Sequence, residues 1–138
     1  MKKISLIGAG NIGGSLASII ANKNLANVML IDVVDGIPEG KALDISQGMA
    51  LTESSSKIEG STKLEKIKDS NVIIVTAGIA RKPGMSRDDL IETNLKIMEA
   101  VGNAIKEYSP NAFVICITNP LDAMVWSLKT ISGLRKEM

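Results

Sequence analysis

Two arginines share one short segment, Ala80-Arg81-Lys82-Pro83-Gly84-Met85-Ser86-Arg87. A guanidinium is planar, permanently charged and able to grip a carboxylate through two parallel hydrogen bonds. Two such groups on one loop point to a small anionic substrate, and Gly78 and Gly84 supply hinges on which the loop could close as a lid. The bland alternative is a mobile basic loop. Ser86 and Asp89, just ahead of the apolar pair Leu90 and Ile91, have the spacing of a capping box and place a helix start near Arg87. A cation in a first helical turn opposes the helix dipole by about 0.3 kcal/mol or more, which Asp88 and Asp89 offset. An arginine set there against local preference points to a use other than helix stability.

Gly8-Ala9-Gly10-Asn11-Ile12-Gly13 carries a second chemistry. Gly8 permits a tight turn, Gly10 lets the backbone approach a pyrophosphate with no side chain between, and Gly13 lets a helix pack close to a sheet. The start of that helix offers free N–H groups and the positive end of its dipole to phosphate. The pattern is weak in isolation. Here an apolar strand precedes it, an amphipathic helix follows it, and Asp32 ends a second strand about 20 residues further on. A carboxylate at that place accepts hydrogen bonds from the adenosine ribose hydroxyls and repels a 2′-phosphate. Val33 follows it, with no Arg or Lys to hold such a phosphate, so the cofactor is expected to be NAD and not NADP.

Asn94 falls on the apolar stripe of Leu90, Met98, Val101 and Ile105. A buried amide needs a partner, and either local backbone or a bound cofactor would serve. Asn119, in Ile117-Thr118-Asn119-Pro120, stands at the carboxyl end of a strand, where an amide can reach ligand, although Asn-Pro also favours a plain turn. The single cysteine, Cys116, can form no internal disulfide and reads as a small core hydrophobe in a buried strand.

The elements that must position these residues alternate along the chain. Strands are expected at Ile4 to Ile7, Val28 to Ile31, Lys57 to Ser61, Val72 to Val75 and Phe113 to Ile117. Helical patterns are expected at Asn11 to Lys23, with Ile12, Leu16, Ile19 and Ile20 on one face, then at Ile37 to Leu51, with Ala42, Ile45 and Met49 near one face. Leu64 to Asp69 reads as a short turn or helix, Asp88 to Tyr108 as the longest helix, and Leu121 to Ile131 as the start of another. Short strands alternating with helices imply an α/β fold, a Rossmann-type doubly wound parallel sheet in the order 3-2-1-4-5. A sixth strand and a substrate domain are expected next, so residues 1–138 read as a nucleotide-binding domain truncated before its catalytic domain.

Composition closes other routes. The net charge is +1 and there are no basic clusters, which argues against nucleic acid or an acidic membrane surface as partner. Aromatic residues make up 2%, too few for base-stacking platforms. No apolar run is long enough to span a bilayer, and the N-terminus lacks the pattern of a secretory signal, so a cytoplasmic location is expected. No metal-ligand cluster is evident, and there is no histidine at all.

Taken together, the glycine loop, Asp32, Thr76-Ala77-Gly78, the Arg81 to Leu90 segment and Thr118-Asn119-Pro120-Leu121-Asp122 resemble the lactate and malate dehydrogenase family over the whole chain. Ala80 to Met85 with Arg87-Asp88-Asp89-Leu90 is similar to the bacterial, lactate-dehydrogenase-like type of malate dehydrogenase. The resemblance implies that Gly8, Ala9, Gly10, Asn11, Ile12 and Gly13 hold the NAD pyrophosphate and Asp32 the adenosine ribose. It also places Thr76, Ala77 and Gly78 in the cofactor site. Asn94 and the backbone of Ile117, Thr118 and Asn119 would lie on the nicotinamide side, with the Asn119–Pro120 bond cis.

For the substrate, the resemblance implies that Arg81 pairs with the distal carboxylate of malate or oxaloacetate, Arg87 polarises the reacting carbonyl, and Asn119 touches substrate. Lactate enzymes carry a neutral Gln at the position of Arg81. The family's second half supplies a further Arg and an Asp–His proton relay, so no catalytic acid or base is assigned within these residues. A homo-oligomer, dimer or tetramer, is implied through the Ile37 to Leu51 helix. The activity implied for the parent is reversible NAD-dependent oxidation of (S)-malate. The alternatives are a stand-alone NAD-binding module, an inactive truncated product, or a lactate dehydrogenase, which Arg81 disfavours.

Overall fold

The computed structural model describes residues 1–135. Five short strands, β1 (Lys3–Ile7), β2 (Asn27–Ile31), β3 (Ile58–Ser61), β4 (Val72–Val75) and β5 (Phe113–Cys116), form one parallel sheet in the order β3-β2-β1-β4-β5. Ile7 of β1 aligns with Ile31 of β2 on one side and Val75 of β4 on the other, so three strands end level and present their carboxyl ends together. Four helices complete the domain: α1 (Asn11–Asn22), α2 (Ile37–Met49), α3 (Arg87–Tyr108) and α4 (Leu121–Ser132). The expected doubly wound architecture and strand order are both present.

Strand side chains alternate between faces, and each face has its own core. Leu6, Val28 and Leu30 pack with Ala17, Ile20 and Ala21 of α1 and Met49 of α2. Ile7, Met29, Ile31, Ile73 and Val75 point the other way, against Met98, Val101 and Ile105 of α3 and Met124 and Leu128 of α4. The helices α3 and α4 lie close: a methyl group on Gly102 would come within 2.8 Å of Ile131.

Two expectations are corrected. The buried face of α1 is Gly13, Ala17, Ile20 and Ala21, while Ile12 and Ile19 are exposed. The helix begins so close to the sheet that a Cβ on Gly13 would overlap the Gly8 carbonyl oxygen; small residues take the near side of its first turns, and Ile12 and Ile19 turn outward. Nor is β5 a buried strand. It lies at the sheet edge, with Phe113 50% exposed, Ile115 41% and, just beyond it, Ile117 37%. Cys116, on the covered side, is half-buried against the α3–α4 core.

Elsewhere the boundaries shift by a residue or two. The second helix ends at Met49 and gives way to a 3-10 turn, Ala50–Thr52, and Leu64–Ile67 is likewise 3-10. The Asn119–Pro120 bond is cis, as expected. No helix among the described residues is long and apolar enough to cross a membrane.

Candidate functional site

The glycine loop leaves β1 at Ile7 and is fixed from several directions. Gly8 adopts φ 113°, a conformation that suits glycine, and donates to Ile31 O at 2.8 Å. A side chain there would strike Thr76 Oγ1, which donates to Gly8 O at 3.0 Å. The first backbone bond of α1 runs from Gly14 N–H to Gly10 O at 2.9 Å, so the N–H groups of Asn11, Ile12 and Gly13 precede the helical ladder. A Cβ on Gly10 would meet nothing within 4 Å. The bare backbone at Gly10 thus faces open space beside a helix start, and a pyrophosphate fits there.

Asp32 stands immediately beside this loop. One carboxylate oxygen accepts from Ala9 N–H at 2.6 Å and the other from Val34 N–H at 3.1 Å. A carboxylate offers about four lone-pair sites, so accepting capacity remains on each oxygen for ribose hydroxyls. Lys41 of α2, which sequence reasoning missed, reaches the same loop: its ammonium donates to Ala9 O at 2.6 Å and to Gly10 O at 3.2 Å. The only sequence cue was a place next to the buried Ala42, and nothing in residue type separates such a lysine from a solvated one.

A second cluster forms where β4 and β5 end. Ala77 N–H donates to Ile7 O at 2.7 Å, and Thr118 Oγ1 donates to Ala77 O at 2.6 Å. Asn94 is fully buried and bonds to backbone, one of the two partners open to it from sequence. Its oxygen accepts from Ile79 N–H at 2.9 Å, and its amide donates to Asn119 O at 2.8 Å and Ile79 O at 3.4 Å. One helical side chain therefore fastens the loop after β4 to the loop after β5. Gly78 lies in that seam, where a Cβ would come within 2.5 Å of the Thr118 methyl. The Asn119 side chain is exposed at the edge.

The arginines occupy the open part of the loop after β4. Arg81 is exposed, and its Nε donates to Met85 O at 3.0 Å. Arg87 is the first residue of α3 and also exposed. Lys96–Glu92 is the only ion pair among the described residues, so neither guanidinium is matched with a carboxylate among them. Ser86 and Asp89 form the expected capping box, both bonds at 3.0 Å. Hydrogen bonding to the carboxyl from Ser86, its side chain first and its backbone N–H second, holds Asp89 below its usual range. Burial pushes the Cys116 thiol up, with bonding from Thr118 acting the other way. No group of three or more potential metal ligands occurs among the described residues.

The structure thus gathers Gly8 to Gly13, Asp32 and Thr76 at the ends of β1, β2 and β4, and Gly78, Asn94, Thr118 and Asn119 beside them at β4 and β5. It does not join Arg81 or Arg87 to these by any side-chain hydrogen bond. The geometry suits an extended dinucleotide lying across the strand ends, with two exposed arginines on and beside the loop after β4.

Comparison with known proteins gives the same picture. The family of the lactate/malate dehydrogenase NAD binding domain matches residues 2–138. A malate dehydrogenase of Methylobacterium radiotolerans is 58% identical over 132 residues, which cover 96% of this chain and 41% of that protein. Among solved structures, Cryptosporidium parvum malate dehydrogenase is 50% identical with a TM-score of 0.91, covering 97% of this chain and 43% of that one. The lactate dehydrogenase of the same organism, solved with lactic acid and nicotinamide adenine dinucleotide, is 47% identical, also at 0.91, covering 97% and 42%. The chain therefore spans about two fifths of the length of these relatives.

Proposed function

The chain belongs to the lactate/malate dehydrogenase family, as its NAD-binding domain, and from that premise we propose that it serves the oxidation of (S)-malate to oxaloacetate. In this reading residues 1–138 supply the cofactor site and the two arginines of the substrate site, and they match about two fifths of the length of the relatives. Overall likeness does not choose the substrate, since malate and lactate enzymes stand almost equally near, at 50% and 47% identity. The observation that carries the choice is Arg81. Its Nε is tethered to Met85 O, which leaves the two terminal nitrogens to grip a carboxylate end-on.

Malate and oxaloacetate carry a second carboxylate where lactate and pyruvate carry a methyl. A site closing over that group must supply a cation or bury an unpaired charge at a cost of several kcal/mol. Arg81 is assigned to the distal carboxylate and Arg87 to the carbonyl oxygen, where a positive charge favours the electron-rich form. Asn119, exposed at the strand edge, is assigned a contact to substrate. NAD, when bound, supplies the hydride acceptor. Gly8, Ala9, Gly10, Asn11, Ile12 and Gly13 seat its pyrophosphate, and Asp32 its adenosine ribose. Thr76, Ala77 and Gly78 belong to the cofactor site, and Ile117, Thr118 and Asn119 line its nicotinamide side. Asn94 acts there by fixing the two loops. The family resemblance also supports a cytoplasmic homo-oligomer.

The test is kcat/KM of the whole protein on oxaloacetate and on pyruvate. Oxaloacetate is expected to be preferred by several orders of magnitude. Arg81→Gln should shrink or invert the ratio, and Arg87→Gln should lower turnover on both. Equal use of both substrates, or an unchanged ratio in Arg81→Gln, overturns the reading.

A further inference from the structure

The geometry points to Lys41 as a positioning residue that aims the pyrophosphate-binding amides of the glycine loop. This rests on the NAD reading above and adds a residue to it. The Lys41 stem crosses Gly14, where a Cβ would lie 3.4 Å from Cδ and 3.3 Å from Nζ. From there the ammonium donates to two successive carbonyls, Ala9 O and Gly10 O. In a planar trans peptide the C=O and N–H point in opposite directions. Fixing those two oxygens toward α2 therefore turns the N–H groups of Gly10 and Asn11 away from it. The preceding peptide is held as well, because Ala9 N–H donates to Asp32. A cation on two carbonyls and an anion on one amide thus hold three successive peptides of the loop, and its orientation is set before any ligand arrives.

The charge has its own effect. A cation on the carbonyl side polarises each peptide and strengthens its N–H as a donor, and it adds a positive field where a pyrophosphate would sit. Asp44 lines the same shallow groove as Lys41, Asn11, Gly14 and Ser15, yet it makes no ion pair with Lys41. The charge is thus directed to the loop. A plain structural pin would need only a neutral donor there and would be indifferent to what the loop binds.

The experiment compares Lys41→Met and Lys41→Arg with the unchanged whole protein, titrating NADH, ADP-ribose and adenosine and recording thermal melting. Lys41→Met is expected to weaken ADP-ribose and NADH about tenfold, or about 1.4 kcal/mol, while adenosine binding stays the same. Lys41→Arg should recover most of the loss. Unchanged ADP-ribose affinity in Lys41→Met, or an equal loss for adenosine, overturns the proposal. If the unchanged protein binds neither NADH nor ADP-ribose, the NAD reading itself fails. Should Lys41→Met not fold, amine acylation of the unchanged protein decides. ADP-ribose, and not adenosine, should slow labelling at Lys41, and equal rates with either ligand overturn the proposal.

Discussion

Asp32 spends one lone pair of each carboxylate oxygen on a backbone amide and so stands fixed beside the glycine loop, which suits the ribose role proposed for it. Asp32→Ala is expected to weaken NADH binding and narrow its margin over NADPH, as read by fluorescence titration of both; an unchanged margin would show that selectivity lies elsewhere. Asn94 gives a prediction of another kind. Asn94→Leu keeps the volume but strands Ile79 N–H and Asn119 O in a half-buried seam. Urea unfolding should show a loss of about 2–4 kcal/mol, and an effect under about 0.5 kcal/mol would mean that water or local shifts satisfy the seam. The need for a partner at Asn94 was legible, because a polar residue broke an apolar stripe. The identity of the partner was not, since Ile79 and Asn119 come near it only once both loops are placed. Lys41 left no trace in sequence for the same reason: its role depends on α2 crossing the glycine loop.

Among the elements, α3 is the one whose start is specified by side chains. Ser86→Ala removes the bond to Asp89 N–H and should cost roughly 1 kcal/mol by thermal melting at neutral pH. Its pH dependence follows from Asp89, whose carboxyl is held low in the folded chain. A depressed carboxyl stabilises the fold above its unfolded value, about 3.9, and that stabilisation is lost as pH falls through the lowered value. Asp89→Asn should therefore melt below the native chain at neutral pH and converge with it in acid; a gap that persists at pH 2 would refute the assignment. Element types and order were legible throughout, because strand-length apolar runs separated by helical periods admit few other folds. The orientation of α1 was not. Periodicity weighs bulk, whereas Gly13 and Ala17 face the sheet because the distance there excludes bulk. For β5, an apolar run reads alike whether one neighbour covers it or two, and Phe113 and Ile115 are open on one side.

At the scale of the molecule, the domain presents a binding edge and very little acid–base chemistry. Its 138 residues include no histidine, and the ionisable groups bonded to the glycine loop, Asp32 and Lys41, are both already engaged by backbone. A positioned general acid or base contributes about 10²–10⁴-fold. A polypeptide of these residues alone is expected to bind NADH yet reduce oxaloacetate near background. Turnover comparable to a full-length relative, in a preparation free of contaminating enzyme, would sink that expectation. The nearly equal likeness to malate and lactate enzymes fits this division: the scaffold is shared, and the difference we propose rests on Arg81 in one loop.

The strand order has one more consequence, which concerns time. Each strand pairs with one made before it: β2 with β1, β3 with β2, β4 with β1, β5 with β4. The buried members of the α1–α2 core all lie between Leu6 and Met49, so that half of the interior can close while the ribosome is still working on the rest. Ile7, Met29 and Ile31 then wait on the opposite face for α3 and α4. The order of translation is also an order of assembly, with each new strand arriving at an edge already laid down.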